Sequence, residues 1–303
     1  MSYRLSPSET VGEGLRRILI EEVDAAVGYT RDPEMDVHEA VHQLRKRMKG
    51  ARALVQLVRG SLPERRKENQ RYRDIGRHVS EARDAASIVE AFNVMLDELP
   101  LDRATALEPV HEALRERREA LTATLQIRDR LAWCGGELLK APPATNRLRL
   151  RSDGWEAIEY GLRHWYRRGR RLWRRAAEEA TTELLHEWRK CAKYHLYHLR
   201  LLADIDPGAM QWRLDRTGAL EDLLGDEHDL AVLETVLPEL AVTVSARQAG
   251  QRELGLRRAR LQETAIAGGA DVYRASPKKF LNELEAAWRS WRDDESPAVH
   301  PIE

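Results

Sequence analysis

The chain has 303 residues, enough to bury a sizeable core as one large domain or as two of roughly 150 residues. Lys plus Arg and Asp plus Glu number 50 each, so the formal net charge is zero although one residue in three is charged. Those figures exclude a protein that is basic all over. An anion site must be a local concentration of charge that is balanced elsewhere.

No stretch approaches the 18 or so uncharged apolar residues of a membrane span. The opening MSYRLSPSET lacks the basic-then-apolar build of a signal peptide. Cys134 and Cys191 have no metal-site spacing and read as reduced interior thiols, so a cytoplasmic protein without a cofactor is expected.

Apolar residues recur at steps of three and four along nearly the whole chain, and strand signals are scarce. The spacing predicts helices over 8–29, 36–60, 64–97, 101–138, 154–180, 181–203, 210–237, 239–267 and 277–293. Ser6 or Ser8 would cap the first, with Glu9 or Glu13 in its opening turn. The stretch KAPPATNRLRLRSDG at 140–154 is the strongest boundary, dividing residues 1–150 from 151–303. Long helices joined by short connections imply an all-α fold of bundles.

The second helix opens with HEAVH at 38–42, the spacing that places two zinc-binding histidines on one helical face. Zinc loses here for two reasons. Arg45, Lys46 and Lys49 follow at once and would repel a dication, and no companion motif supplies a third ligand.

An internal repeat points the same way. HQLRKRMK at 42–49 and HEWRKCAK at 186–193 both read H-x-x-R-K-x-x-K, and the second copy has Thr182 where the first has His38. Further along, SEARDAASIVEAF at 80–92 aligns with GDEHDLAVLETVL at 225–237, which sets Arg83-Asp84 opposite His228-Asp229. The same order at nearly the same offset indicates a duplicated bundle.

His38, His42, Arg45, Lys49 and Arg52 share one side of a helix. Val37, Val41, Leu44, Met48, Ala51 and Val55 form the opposite, core-facing stripe. His186, Arg189 and Lys193 make the corresponding line, with Lys190 beside it. Like charges in a row destabilise a helix unless carboxylates or a polyanion compensate them. A third cluster, LRHWYRRGRRLWRR, carries seven arginines from 163 to 175 without an acid. Arg163, Arg167, Arg170 and Arg174 follow helical spacing there, with Arg171 able to join them. Trp165, Leu172 and Ala176 mark its buried side, while Tyr166 and Trp173 lie between. Lys278 and Lys279 add charge at the start of the last helix.

These motifs, with ARD at 82–84, EHD at 227–229, YRRGRR at 166–171 and SPKKF at 276–280, resemble the CHAD family, the conserved histidine alpha-helical domain. The resemblance runs from about Pro7 to Trp291. It implies two related four-helix bundles packed with approximate two-fold pseudo-symmetry, plus a C-terminal helix. It also implies noncatalytic binding of inorganic polyphosphate in a basic surface or channel, and association with polyphosphate granules and their proteins.

Carried onto this chain, the signature residues are His42, Arg45, Lys46, Lys49 and Arg52, then His186, Arg189, Lys190 and Lys193, with Arg167 and Arg170. Leu196 stands opposite Arg52, a departure from the repeat. Nucleic acid is the first alternative ligand, because Trp165, Tyr166 and Trp173 could stack bases. A phosphohydrolase is the second, but a glycine-rich phosphate loop is missing and His228-Asp229 is too short a match to carry a metal site.

Overall fold

A computed structural model describes residues 3–293. Among them are twelve α-helices: α1 (Val11–Arg31), α2 (Val37–Leu57), α3 (Arg65–His78), α4 (Ser80–Asp97), α5 (Leu101–Thr124), α6 (Ile127–Leu138), the single turn α7 (Pro142–Thr145), α8 (Gly154–Glu178), α9 (Thr182–Leu201), α10 (Pro207–Val236), α11 (Val244–Tyr273) and α12 (Pro277–Asp293). A 3-10 turn at Leu237–Glu239 joins α10 to α11.

Side-chain caps set several of the starts. Thr10, rather than Ser6 or Ser8, caps α1: its hydroxyl accepts from the Glu13 backbone N–H at 3.1 Å while the Glu13 carboxylate accepts from the Thr10 N–H at 2.8 Å. Asp36, Thr181, Asp206 and Thr243 do the same duty for α2, α9, α10 and α11.

Two helices expected to be continuous are divided. The 64–97 stretch breaks at Val79, whose side chain is buried. The 101–138 stretch breaks at Gln126, which takes a left-handed conformation with φ of 44°. By contrast, α10 and α11 run unbroken for 30 residues each.

The apolar side chains gather into two cores. The larger joins α1, α2, α3 and α6 to α8, α9 and α12, with contributions from α10 and α11. The smaller is built by α4 and α5 against the rest of α10 and α11, around Phe92, Leu107, Val110, Leu233, Leu237 and Leu254. Both cores therefore draw on residues from either side of the 140–154 stretch. Helix α2 packs on α9, α4 on α10, and α5 on α11. The described residues include no helix long and apolar enough to cross a membrane. Cys134 and Cys191 are buried, unpaired thiols, pushed up to about 12 chiefly by burial.

Helix α8 crosses closely over the end of α2. At Gly161 the two backbones approach so nearly that a Cβ would collide with the Leu57 carbonyl oxygen, so this position requires glycine. Gly161→Ala should cost about 2–3 kcal/mol, since neither backbone can give way without moving the core. Gly268→Ala, where an added Cβ meets nothing within 4 Å, should instead stabilise by up to about 1 kcal/mol through helix propensity. Urea unfolding of the two variants beside the parent checks both signs.

Candidate functional site

The seam between α2 and α9 is fastened by polar contacts that also fix the register of their charged faces. The buried His198 ring lies with Nε2 2.9 Å from the Ala53 carbonyl, to which it donates. Burial holds both His198 and the neighbouring His195 down to about 3, so both rings are neutral at ordinary pH. The Arg52 guanidinium donates across the seam to the Tyr194 hydroxyl at 3.1 Å and to Asn69 of α3 at 3.3 Å. Tyr3 reaches the Gly50 carbonyl at 2.7 Å and meets Tyr197 of α9 edge-on.

This fastening brings the basic stripes of α2 and α9 together. Lys49 shows it most clearly. Burial, followed by the charges of Lys193, Arg45 and Arg189, lowers its ammonium to about 7. Two of those three neighbours belong to α9. Burial also lowers Arg45, opposed by Asp84 and reinforced by Arg83, Arg189 and Arg52. Lys193 is lowered first by burial and then by Arg189. Arg45, Lys49, Arg52, Arg83, Arg189 and Lys193 thus form one cationic cluster on α2, α4 and α9.

The three histidines predicted for the site edge this cluster. The His186 and His228 rings meet through their Nδ1 atoms at 3.3 Å. Burial and Arg189 push His228 down to about 4. Burial followed by Arg83 lowers His42, and burial followed by Lys190 and Arg189 lowers His186. In the free protein the His228 ring is therefore a poor proton carrier in mild acid.

Carboxylates neutralise part of the cluster. Lys193 pairs with Glu221 of α10 at 2.9 Å, and Arg83 with Glu90 at 2.8 Å. Arg45 lies 3.7 Å from Asp84 and donates to the Gly76 carbonyl at 2.9 Å. Burial pushes Glu221 upward, yet Lys193 and Arg189 bring its net position below the usual carboxylate range. Asp229 stays raised by burial despite Arg189, Arg83 and Lys193 nearby. No carboxylate among the described residues pairs with Lys49, Arg52 or Arg189, and the buried Nε atoms of Arg45 and Arg189 have no hydrogen-bond partner.

Other predicted residues lie apart. Lys46 is exposed and lies toward Glu22 of α1. Lys190 is exposed and pairs with Glu187, which also holds Arg168. Lys279 points outward beside Glu283, 4.0 Å away.

The arginines of α8 divide in the same manner. Tyr160, Arg163, His164, Arg167, Arg168 and Arg171 line an open groove of about 400 Å³. A neighbouring cleft joins Arg163 and Arg167 to Lys278 of α12. Arg170 turns away and donates to the Tyr273 carbonyl at 2.9 Å, while Arg174 is exposed beyond the groove. Trp165 and Tyr166 are buried, and the Trp173 indole N–H donates to the Ile266 carbonyl at 2.8 Å.

Two basic residues absent from the sequence-based set extend the α2 stripe toward this groove. Arg59 lies over the rings of Tyr160 and Trp165, 5.9 and 5.7 Å from their centroids. Trp165 in turn contacts Tyr194, the acceptor of Arg52, at 4.2 Å between centroids. Arg65 lies close enough to lower both Arg59 and His164. The spacing 45, 49, 52, 59 could have revealed Arg59, but it stands just past the end of α2.

No group of three or more His, Cys, Asp and Glu side chains among the described residues is arranged to hold a metal ion. What the cluster and groove offer is a series of guanidinium and ammonium donors, suited to oxygens of a polyvalent anion.

The model of the CHAD domain family matches residues 17–238. This chain belongs to the CHAD domain family. The matched stretch runs from α1 to the 3-10 turn and contains both copies of the repeated motif, whereas Lys278 and Lys279 fall outside it. Curated proteins provide no match to the chain. Membership in the CHAD family supports a general role in binding polyphosphate or another polyanion.

The unpaired charge at Lys49 should be measurable in the free protein. Its folded value of about 7 lies below the usual lysine value of 10.5, so the folded state binds fewer protons than the unfolded chain. The resulting penalty appears as pH falls below 10.5 and is complete below about 7. Lys49→Met should therefore raise the urea midpoint, by more at pH ~6 than at pH ~9.5. An equal change at both values would mean that the ammonium is not strained.

Proposed function

We propose that this CHAD protein binds inorganic polyphosphate without catalysis, along a cationic track that begins where α2 meets α9 and continues onto α8. The observation that carries the reading is the convergence on Lys49 of Lys193, Arg45 and Arg189, positive groups from both halves with too few carboxylates to neutralise them. A polyvalent anion turns that repulsion into attraction, because each phosphoryl oxygen accepts charge-assisted hydrogen bonds and each neutralised phosphate releases counterions.

In this reading residues 1–150 and 151–303 are two related bundles with an approximate two-fold relation. Like-to-like packing of α2 on α9, α4 on α10 and α5 on α11 supports it, as does the repeated motif. The polymer crosses between them, gripped by Arg45, Lys49, Arg52, Arg83, Arg189 and Lys193 and edged by His42, His186 and His228. Arg163, Arg167, Arg168, Arg171 and Lys278 receive its continuation. The protein works in the cytoplasm, at polyphosphate granules, where it can also meet granule proteins.

Nucleic acid is a weaker candidate. The rings that would stack bases, Trp165 and Tyr166, belong to the core, and Trp173 is committed to a backbone carbonyl.

Gel-shift or filter binding of defined polyphosphates across a salt series tests the track. Arg52→Gln with Arg189→Gln removes two cations that have no carboxylate partner, and should weaken binding at least about tenfold. The slope of log affinity against log salt should fall by about one for each lost phosphate contact. Parent-like binding by this variant would rule out the seam as the site.

The proton taken up on binding should enter Lys49 before His228, since Lys49 titrates near 7 and His228 near 4. Bound anion raises the lysine value, so affinity should increase from pH ~8 to pH ~6. Lys49→Arg keeps the charge without titrating and should flatten that rise. An unchanged pH profile in this variant would return the effect to the histidines or to the ligand.

A further inference from the structure

The groove on α8 has a feature that a plain phosphate polymer does not use. At one end stands Tyr160, 55% exposed, while the other aromatic rings of that helix are wholly or largely covered. One side of Tyr160 rests on the turn after α2: a Cβ on Gly60 would come within 2.9 Å of the Tyr160 Cβ, and the Arg59 guanidinium lies 5.9 Å from the ring centroid. The phenol is thus held in place by its neighbours rather than swinging free.

One turn along, the His164 ring lies 6.5 Å from Tyr160 at an interplanar angle of 22°, so the groove presents two flat surfaces in nearly parallel orientation. Burial and the charges of Arg59, Arg168, Arg65 and Arg171 lower His164 to about 4, which leaves its ring neutral. Beyond the rings come the cations. Arg163 pairs with Glu159 and Arg168 with Glu187, but no carboxylate among the described residues pairs with Arg167 or Arg171.

We propose that this groove binds a nucleoside polyphosphate, its base stacked on Tyr160 and its phosphates directed along α8 to Arg167, Arg168 and Arg171. The chemistry is distributed to suit such a ligand: π-surface at one end, the unpaired guanidinium groups of Arg167 and Arg171 with the Glu187-paired Arg168 at the other, and about three helical turns between Tyr160 and Arg171. A phosphate polymer has no planar group to occupy the aromatic end. The phosphate half of the proposal rests on the polyanion reading above; the base half rests on Tyr160 alone.

Calorimetric titration of the full chain with ATP, with inorganic triphosphate and with adenosine tests it, in buffer free of divalent cations. ATP should bind about tenfold more tightly than triphosphate, the factor given by about 1.4 kcal/mol of stacking, and adenosine should bind weakly. Tyr160→Ala should remove the advantage of ATP while leaving triphosphate affinity unchanged. Arg167→Gln with Arg171→Gln should weaken both phosphorylated ligands.

Equal affinities for ATP and triphosphate, or an ATP advantage that survives Tyr160→Ala, would overturn the proposal. The Arg52→Gln/Arg189→Gln variant separates it from the polymer reading. ATP binding should persist there while polyphosphate binding falls. Loss of polyphosphate binding in the parent, with ATP still bound, would defeat the polymer reading alone.

Discussion

Everything at the seam follows from the cost of packing two cation-bearing helices side by side. Charged groups resist removal from water, and like charges resist approach, so Lys49 loses proton affinity until it titrates near neutrality. The fold tolerates this because apolar and neutral contacts surround the cluster. Leu44, Met48 and Leu54 of α2 and Trp188 and Leu199 of α9 are almost fully buried, and the His198 side chain ties α9 to the α2 backbone. Hydrophobic burial holds the helices against their charges, and leaves the charges in want of an anion.

The neutral total charge becomes intelligible in the same terms. Glu221, Asp84 and Glu90 border the cluster and lessen its field without abolishing it. A protein basic over its whole surface would attract any polyanion to any face. Under the proposed polyphosphate reading, attraction is concentrated along the α2–α9 seam and the flank of α8. In that reading Glu221 of α10 and Asp84 and Glu90 of α4 bear on selectivity as well as solubility.

Much of this arrangement was legible in the residue pattern, for definite reasons. Steps of three and four fix which side of α2 is apolar: Val41, Leu44, Met48, Ala51 and Val55 are all buried, and Val37 partly so. Repetition of H-x-x-R-K-x-x-K identified the partner stripe on α9. The breaks at Val79 and Gln126 were not legible, because neither is glycine or proline and the helical periodicity runs through both. On α8 the periodicity was ambiguous, since seven arginines in thirteen positions satisfy more than one helical face. Only the burial of Tyr166 and Gly169 decides that Arg168 and Arg171 line the groove while Arg170 anchors a carbonyl. Arg59 was hidden by its place in a turn, as its aromatic neighbours are about a hundred residues distant in the chain.

The backbone contact at Gly161 carries a consequence for motion. With α8 seated directly on the end of α2, the two helices cannot slide past each other without breaking the larger core. The spacing of the α2 and α8 backbones is therefore fixed, and adaptation is left to the long side chains and the guest. A polymer of identical units meets such a fixed comb equally well in many registers. If the proposed reading holds, such a polymer can shift by one unit without leaving, so a fixed host and a monotonous guest together permit one-dimensional diffusion along the strand.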